Sequence, residues 1–152
     1  MKLLFAVYLA LLLRLIVFRM SLPEMKLVLD SWTGEVIRQG LDRANFQPFR
    51  TIDMYVRYWS RGIRSFENLI GNILVFVPMG YLLPRIFHRA GNVLICMFCG
   101  LAVILGIELF QMVTSFGAFD VDDIILNGLG LFIGYLVFLL VRQTFCRREK
   151  SN

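Results

Sequence analysis

The chain alternates between long apolar runs and short polar ones. Four runs approach the length of a membrane crossing: LLFAVYLALLLRLIVF (3–18), NLIGNILVFVPMGYLLP (68–84), NVLICMFCGLAVILGIELFQMV (92–113) and DIILNGLGLFIGYLVFLLV (123–141). A crossing helix needs about 20 predominantly apolar residues, because each advances it about 1.5 Å through a hydrocarbon core about 30 Å thick. The second run is short and would need help from its flanks or from local thinning of the bilayer. The pattern predicts an all-α integral membrane protein with four transmembrane helices, folded as a single domain over residues 1–152. Lys2 and the run after it begin like a signal peptide, but no small-x-small cleavage site follows, so a retained anchor is expected.

A long segment separates the first two runs. Within TIDMYVRYWSRGIR, Ile52, Val56, Trp59 and Ile63 fall on one helical face, and Arg57, Arg61 and Arg64 on the opposite one. This predicts an amphipathic helix lying on the membrane surface, with Tyr55, Tyr58 and Trp59 near headgroup level. A helix packed on the protein's own outer surface would show the same pattern. Upstream, Pro48 in ANFQPFR breaks helix and favours an extended or turned segment.

The polar positions inside the apolar runs gather on one side. Successive crossings run in opposite directions, so the start of the second, the end of the third and the start of the fourth share a membrane face. The segment 21–65 joins them there. Helical spacing then draws three stripes: Asn68, Asn72, Phe76 and Gly80; Gly100, Ile104, Glu108 and Gln111; Asp123, Asn127, Gly130 and Gly134. The last ends in G-x-x-x-G, which lets two helices approach closely and turns Asp123 and Asn127 inward with the glycines. Asp120 can cap the fourth helix, and Pro78 can kink the second. A charge near the bilayer centre costs roughly 2.5–3.5 kcal/mol, so it is rarely kept without a partner or a purpose. Glu108 lies about 7 Å from the middle of its run, below the surface but short of the centre.

Composition and charge narrow the class. The chain is 58% hydrophobic and 18% charged, with a net charge of +5. On so apolar a chain, that charge points to membrane topology and anionic lipid and not to nucleic acid. With both termini cytoplasmic, the inner side carries Lys2, Arg85, Arg89, Arg142, Arg147, Arg148 and Lys150, while the short loop TSFGAFDVD carries no Lys or Arg. The long segment, with seven Lys and Arg, then becomes an extracytoplasmic loop against that tendency, although long loops count for less. Cys96 and Cys99 form a C-x-x-C, but inside a lipid-like helix they read as small apolar residues. Cys146, among arginines, is a weak candidate for acylation. His88, the one histidine, reads as interfacial. There is no zinc spacing, phosphate loop or Ser/His/Asp constellation, and neither a metal nor a cofactor is expected.

Two readings of the polar stripes stand side by side. Asn72, Glu108, Gln111 and Asn127 could tie three helices by hydrogen bonds, each contributing about 0.6–2 kcal/mol. Alternatively, with Asp120 and Asp123, they form a recessed ligand or catalytic pocket. Asp122 is expected in solvent. Arg14 could pair with Glu108, but is expected to snorkel to the headgroups as Arg19 would.

The ordered set GNILVFVPMGYLLP, IELFQ and FDVDDIILNGLG, preceded by NFQPF, resembles the VanZ-like family over roughly residues 45–135. The matching positions are Asn45, Pro48 and Phe49, then Asn72, Phe76, Pro78 and Gly80, then Glu108 and Gln111, then Asp120, Asp123, Asn127 and Gly130. Asp122 falls where the family pattern is looser. Where many members carry Arg before the F-D element, Gly117 and Ala118 stand here, so a cation needed there would come from the long loop. The resemblance implies a small multi-pass protein of the bacterial cell membrane and envelope, linked to resistance to teicoplanin, a lipid-tailed glycopeptide. The candidate ligand-binding residues are Asn45, Asn72, Glu108, Gln111, Asp120, Asp123 and Asn127. Structural roles are expected of Pro48, Phe76, Pro78, Gly80, Gly130 and Gly134.

The first functional expectation is an envelope protein without known enzymatic activity. Its pocket would bind a lipid-linked wall precursor, or the drug's acyl tail, among membrane lipids. The second is an intramembrane enzyme on such a precursor, with Glu108 as general acid or base and Asp120 and Asp123 orienting water or a metal. The third is a lipid or solute transporter, against which stands the absence of polar residues from the other half of the predicted bundle.

Overall fold

The computed structural model describes residues 1–17, 21–30, 32–58 and 63–151. The elements are α1 (Lys2–Leu12), continued by a π-helical turn (Leu13–Val17), then α2 (Leu22–Asp30), α3 (Gly34–Arg43) and α4 (Arg50–Arg57). The long helix α5 (Ile63–Ile86) leads through a 3-10 turn (His88–Gly91) into α6 (Val93–Thr114) and α7 (Val121–Ser151). Among the described residues there is no β-strand, as the apolar pattern requires.

Among the described residues, three helices are long and apolar enough to cross a membrane: Glu67–Ile86, Val93–Thr114 and Val121–Thr144. They follow the three later apolar runs closely. The described part of the first run, to Val17, is shorter than a crossing. Helix α1 has 11 residues and its π-helical continuation 5, against about 20 for a bilayer. Helix α5 is unbroken from Ile63 to Ile86, with Pro78 and Pro84 inside it. The Asn92 side chain caps α6 by accepting from the backbone N–H groups of Leu94 and Ile95, at 2.8 and 3.4 Å. Ser115, left-handed at φ 55°, ends it.

The glycine stripes lie where α5 and α7 meet. A Cβ at Gly130 would overlap the carbonyl oxygen of Ile73, one at Gly134 that of Val77, and one at Gly80 that of Leu131. Backbone therefore packs on backbone, the close approach that small residues permit between membrane helices. Gly100 faces the side chain of Leu131 in the same way. Leu12, Phe76, Met79, Ile104, Ile107 and Leu131 make the core. The Tyr8 hydroxyl donates to the Val75 carbonyl at 2.9 Å and ties α1 to α5. Large apolar side chains such as Leu74, Leu94, Phe98 and Leu140 point outward, as lipid-facing surfaces do.

The long segment is more ordered than its sequence pattern suggests. Helix α3 packs on the end of α6, where a Cβ at Gly40 would overlap the Met112 carbonyl. Two bonds hold it: the Trp32 indole N–H donates to the Val113 carbonyl at 3.2 Å, and the Ser115 hydroxyl to the Val36 carbonyl at 2.9 Å. Of the segment expected to form one amphipathic helix, Thr51–Arg57 belongs to α4, while Ile63 and Arg64 begin α5. Trp59 and Arg61 lie outside the described residues, as do Arg19 and the side chains of Ile63, Arg64 and Cys146. Cys96 is buried and Cys99 exposed, both on α6. Arg14 sits exposed in the π-helical turn.

Candidate functional site

The polar residues from three apolar runs do converge, and the loop residue Asn45 joins them. Glu108 and Gln111, on α6, are 1% and 6% exposed, and Asn127, on α7, is 3% exposed. One carboxylate oxygen of Glu108 accepts the backbone N–H of Asp120 at 3.1 Å, which holds the start of α7 against α6. The Asn72 amide, on α5, donates to Asp123 at 2.5 Å. Gln111 packs under Gly117, where a Cβ would lie 3.0 Å from its amide carbon. The lack of a side chain at Gly117 thus makes room for this amide.

Asn45 is the hinge between loop and bundle. Its N–H donates to the Phe119 carbonyl at 2.8 Å, and its carbonyl accepts from Val121 N–H at 3.1 Å. Its side-chain amide donates to Asp120 at 2.9 Å and to the Thr51 hydroxyl at 3.1 Å, while Thr51 donates to the other oxygen of Asp120 at 2.6 Å. Asp120 also caps its own helix, accepting the Asp122 N–H at 2.9 Å. The capping role expected of it is therefore present alongside its tie to the loop. The Phe46 and Phe119 rings, 5.2 Å between centroids, flank this junction.

Asp122 corrects the expectation of a solvated acid. It is completely buried. Its carboxylate accepts the backbone N–H groups of Phe49, Thr51 and Ile52 at 2.5, 2.7 and 3.1 Å. Those are amides of the first turn of α4 and its capping position, where four donors lack partners within the helix. Phe49, left-handed at φ 67°, supplies no cap of its own. Asp122 therefore caps α4 from another helix, with its charge at the positive end of the α4 dipole. A signal was available: the helix after Pro48 starts without Ser, Thr, Asp or Asn at its cap, so it needs an acceptor from elsewhere.

The buried carboxylates are thus met by backbone N–H groups, amides and a hydroxyl. Asn127 differs. It lies one turn deeper along α7 than Asp123, and its buried side-chain oxygen has no hydrogen-bond partner among the described residues. Asn68 is exposed and donates to the Tyr55 hydroxyl at 3.3 Å, at the edge of the cluster. Pro48 forms the turn before Phe49, and Phe76 is fully buried beneath Asn72 along α5. Pro78 is exposed. Among the described residues, no group of three His, Cys, Asp or Glu side chains is placed to hold a metal ion.

A family model described as VanZ/LLP1 matches residues 5–142. Protein VanZ of Enterococcus faecium is 32% identical over 74 residues, covering 49% of this chain and 45% of that protein. The match thus spans less than half the length of this relative. No solved structure matches significantly.

Proposed function

The chain belongs to the VanZ-like family, and from that premise we propose that it is an envelope protein that lowers susceptibility to teicoplanin by holding an amphiphile at its polar end. The ligand is a lipid-linked wall precursor or the acyl tail of the drug. Glu108, Gln111, Asn127, Asn72, Asp120, Asp123 and Asn45 line the site. The observation that carries the reading is the buried Asn127 oxygen, without a hydrogen-bond partner among the described residues. A buried acceptor left unmet costs about 1–3 kcal/mol, so a ligand donor that reached it would be bound more tightly for that reason.

In this reading the first apolar run makes a fourth crossing. Both termini lie in the cytoplasm, as the distribution of Lys and Arg favours. The polar end then faces outward, with α4 at the membrane surface beside it. Asp120 and Asp122 hold the mouth of the site in place through the loop, and Asp123 through Asn72 of α5.

The test is teicoplanin susceptibility, with vancomycin as control, in a host expressing wild type, Glu108→Gln or Asn127→Leu at matched membrane levels. Glu108→Gln keeps an oxygen to accept the Asp120 N–H, and Asn127→Leu keeps volume without the acceptor. Wild type is expected to protect, and both variants to return the host to the susceptibility of the empty vector. Equal protection by all three would reduce the cluster to a tie between helices. If wild type gives no protection, the teicoplanin reading is wrong.

A further inference from the structure

The opposite end of the bundle carries a recess that the polar site does not use. It lies between the end of α5, the 3-10 turn and the start of α6, and has a volume of about 520 Å³. Such a volume falls within the roughly 300–1,000 Å³ usual for ligand sites. Leu83, Ile86, Phe87, Ala90, Ile95 and Cys99 give it apolar walls. The contacts behind it are closed: Leu83, Ala90, Cys96 and Tyr135 pack into one buried cluster, and the Tyr135 hydroxyl donates to the Gly91 carbonyl at 2.8 Å. The recess is therefore walled by a turn that α7 holds in position.

Its rim is basic. His88 and Arg89 line it, and both are exposed. Arg85, also exposed, folds over the Tyr81 ring at 5.2 Å and donates to the Tyr81 hydroxyl. The lower walls come from two helices apolar and long enough to cross a membrane, so the recess opens at the depth of acyl chains and the rim at that of headgroups. We infer that this recess binds one anionic phospholipid, with an acyl chain between Leu83, Ile86, Ile95 and Cys99 and its phosphate at Arg89 and His88. Apolar walls alone would accept any lipid tail. The cationic rim selects the anionic headgroup, as basic pockets between membrane helices do. The inference does not depend on what occupies the polar end.

The experiment is native mass spectrometry of the detergent-purified full chain, titrated with phosphatidylglycerol or with phosphatidylcholine of the same acyl chains. Wild type should retain a single phosphatidylglycerol in preference to phosphatidylcholine. Arg89→Gln should lower that preference about five-fold, the change expected for one cation at an anionic membrane surface. Cys99→Trp, which fills the recess from an exposed position, should reduce retention of both lipids while leaving the helical signal and the melting temperature unchanged. Equal retention of the two lipids by wild type would overturn the inference. So would an undiminished preference in folded Arg89→Gln, or undiminished retention in folded Cys99→Trp.

Discussion

The two ends of the helix bundle are built on opposite plans. At the polar end, groups distant in the chain complete one another: Asn45 bonds Asp120 across 75 positions, and Asp122 reaches Phe49 across 73. At the basic end the turn is largely made by its neighbours. Phe87 N–H donates to Leu83, Ala90 to Phe87 and Asn92 to Arg89, while Asn92 caps the helix that follows. The long-range polar bond there is that of Tyr135 to Gly91. A self-made turn needs little from the rest of the fold. A junction assembled from distant parts fails as a whole when one part is removed, because buried donors and acceptors are left unmet.

The sharpest way to break this contrast is Asp122→Ala. Three N–H groups at the start of α4 would lose their acceptor, so a destabilisation of about 3 kcal/mol is expected. Hydrogen exchange should rise first in residues 49–57 in detergent. If exchange there stays slow, α4 is held by something other than Asp122. Next in size is Gly134→Ala, where the added methyl meets the Val77 carbonyl oxygen and drives α5 from α7. A loss of about 2 kcal/mol in unfolding free energy is expected. Gly106→Ala is the control, since nothing lies within 4 Å of a Cβ there, and it should be neutral or stabilising by up to about 1 kcal/mol. The smallest effect belongs to the basic end. Tyr135→Phe removes a single bond and should cost about 1 kcal/mol in thermal unfolding, with the turn itself intact. A loss as large as that of Asp122→Ala would show that the two ends are built alike.

Much of this organisation was legible along the chain. The stripe of Asp123, Asn127, Gly130 and Gly134 put acid, amide and glycines on one face, and a single face of α7 does carry them. The three later crossings follow because apolar side chains at that density have no other environment to enter. Glu108 and Gln111 were readable as inward-facing for a similar reason: a polar group in an apolar helix turns from lipid toward other polar groups. Helices α2 and α3 were not legible, because they have no long apolar face; α3 is held by contacts such as Gly40 on Met112 and Ser115 with Val36. Asp122 was misread because a first-turn acid looks alike whether it meets water or another helix's amides.

Helical periodicity and apolar length, properties of the sequence alone, determined the three long apolar helices, which faces carry glycine and which end of the bundle collects the acids. They act between residues a turn or two apart and so need no knowledge of the fold. Which acid caps which helix was decided only in three dimensions. That Asp122 serves α4, Asp120 serves Asn45 and Thr51, and Glu108 holds the start of α7 depends on distances between segments some 12 to 75 positions apart. Those distances exist only after the glycine faces of α5 and α7 have closed, since a carboxylate finds a particular N–H group only when packing has fixed where that group points.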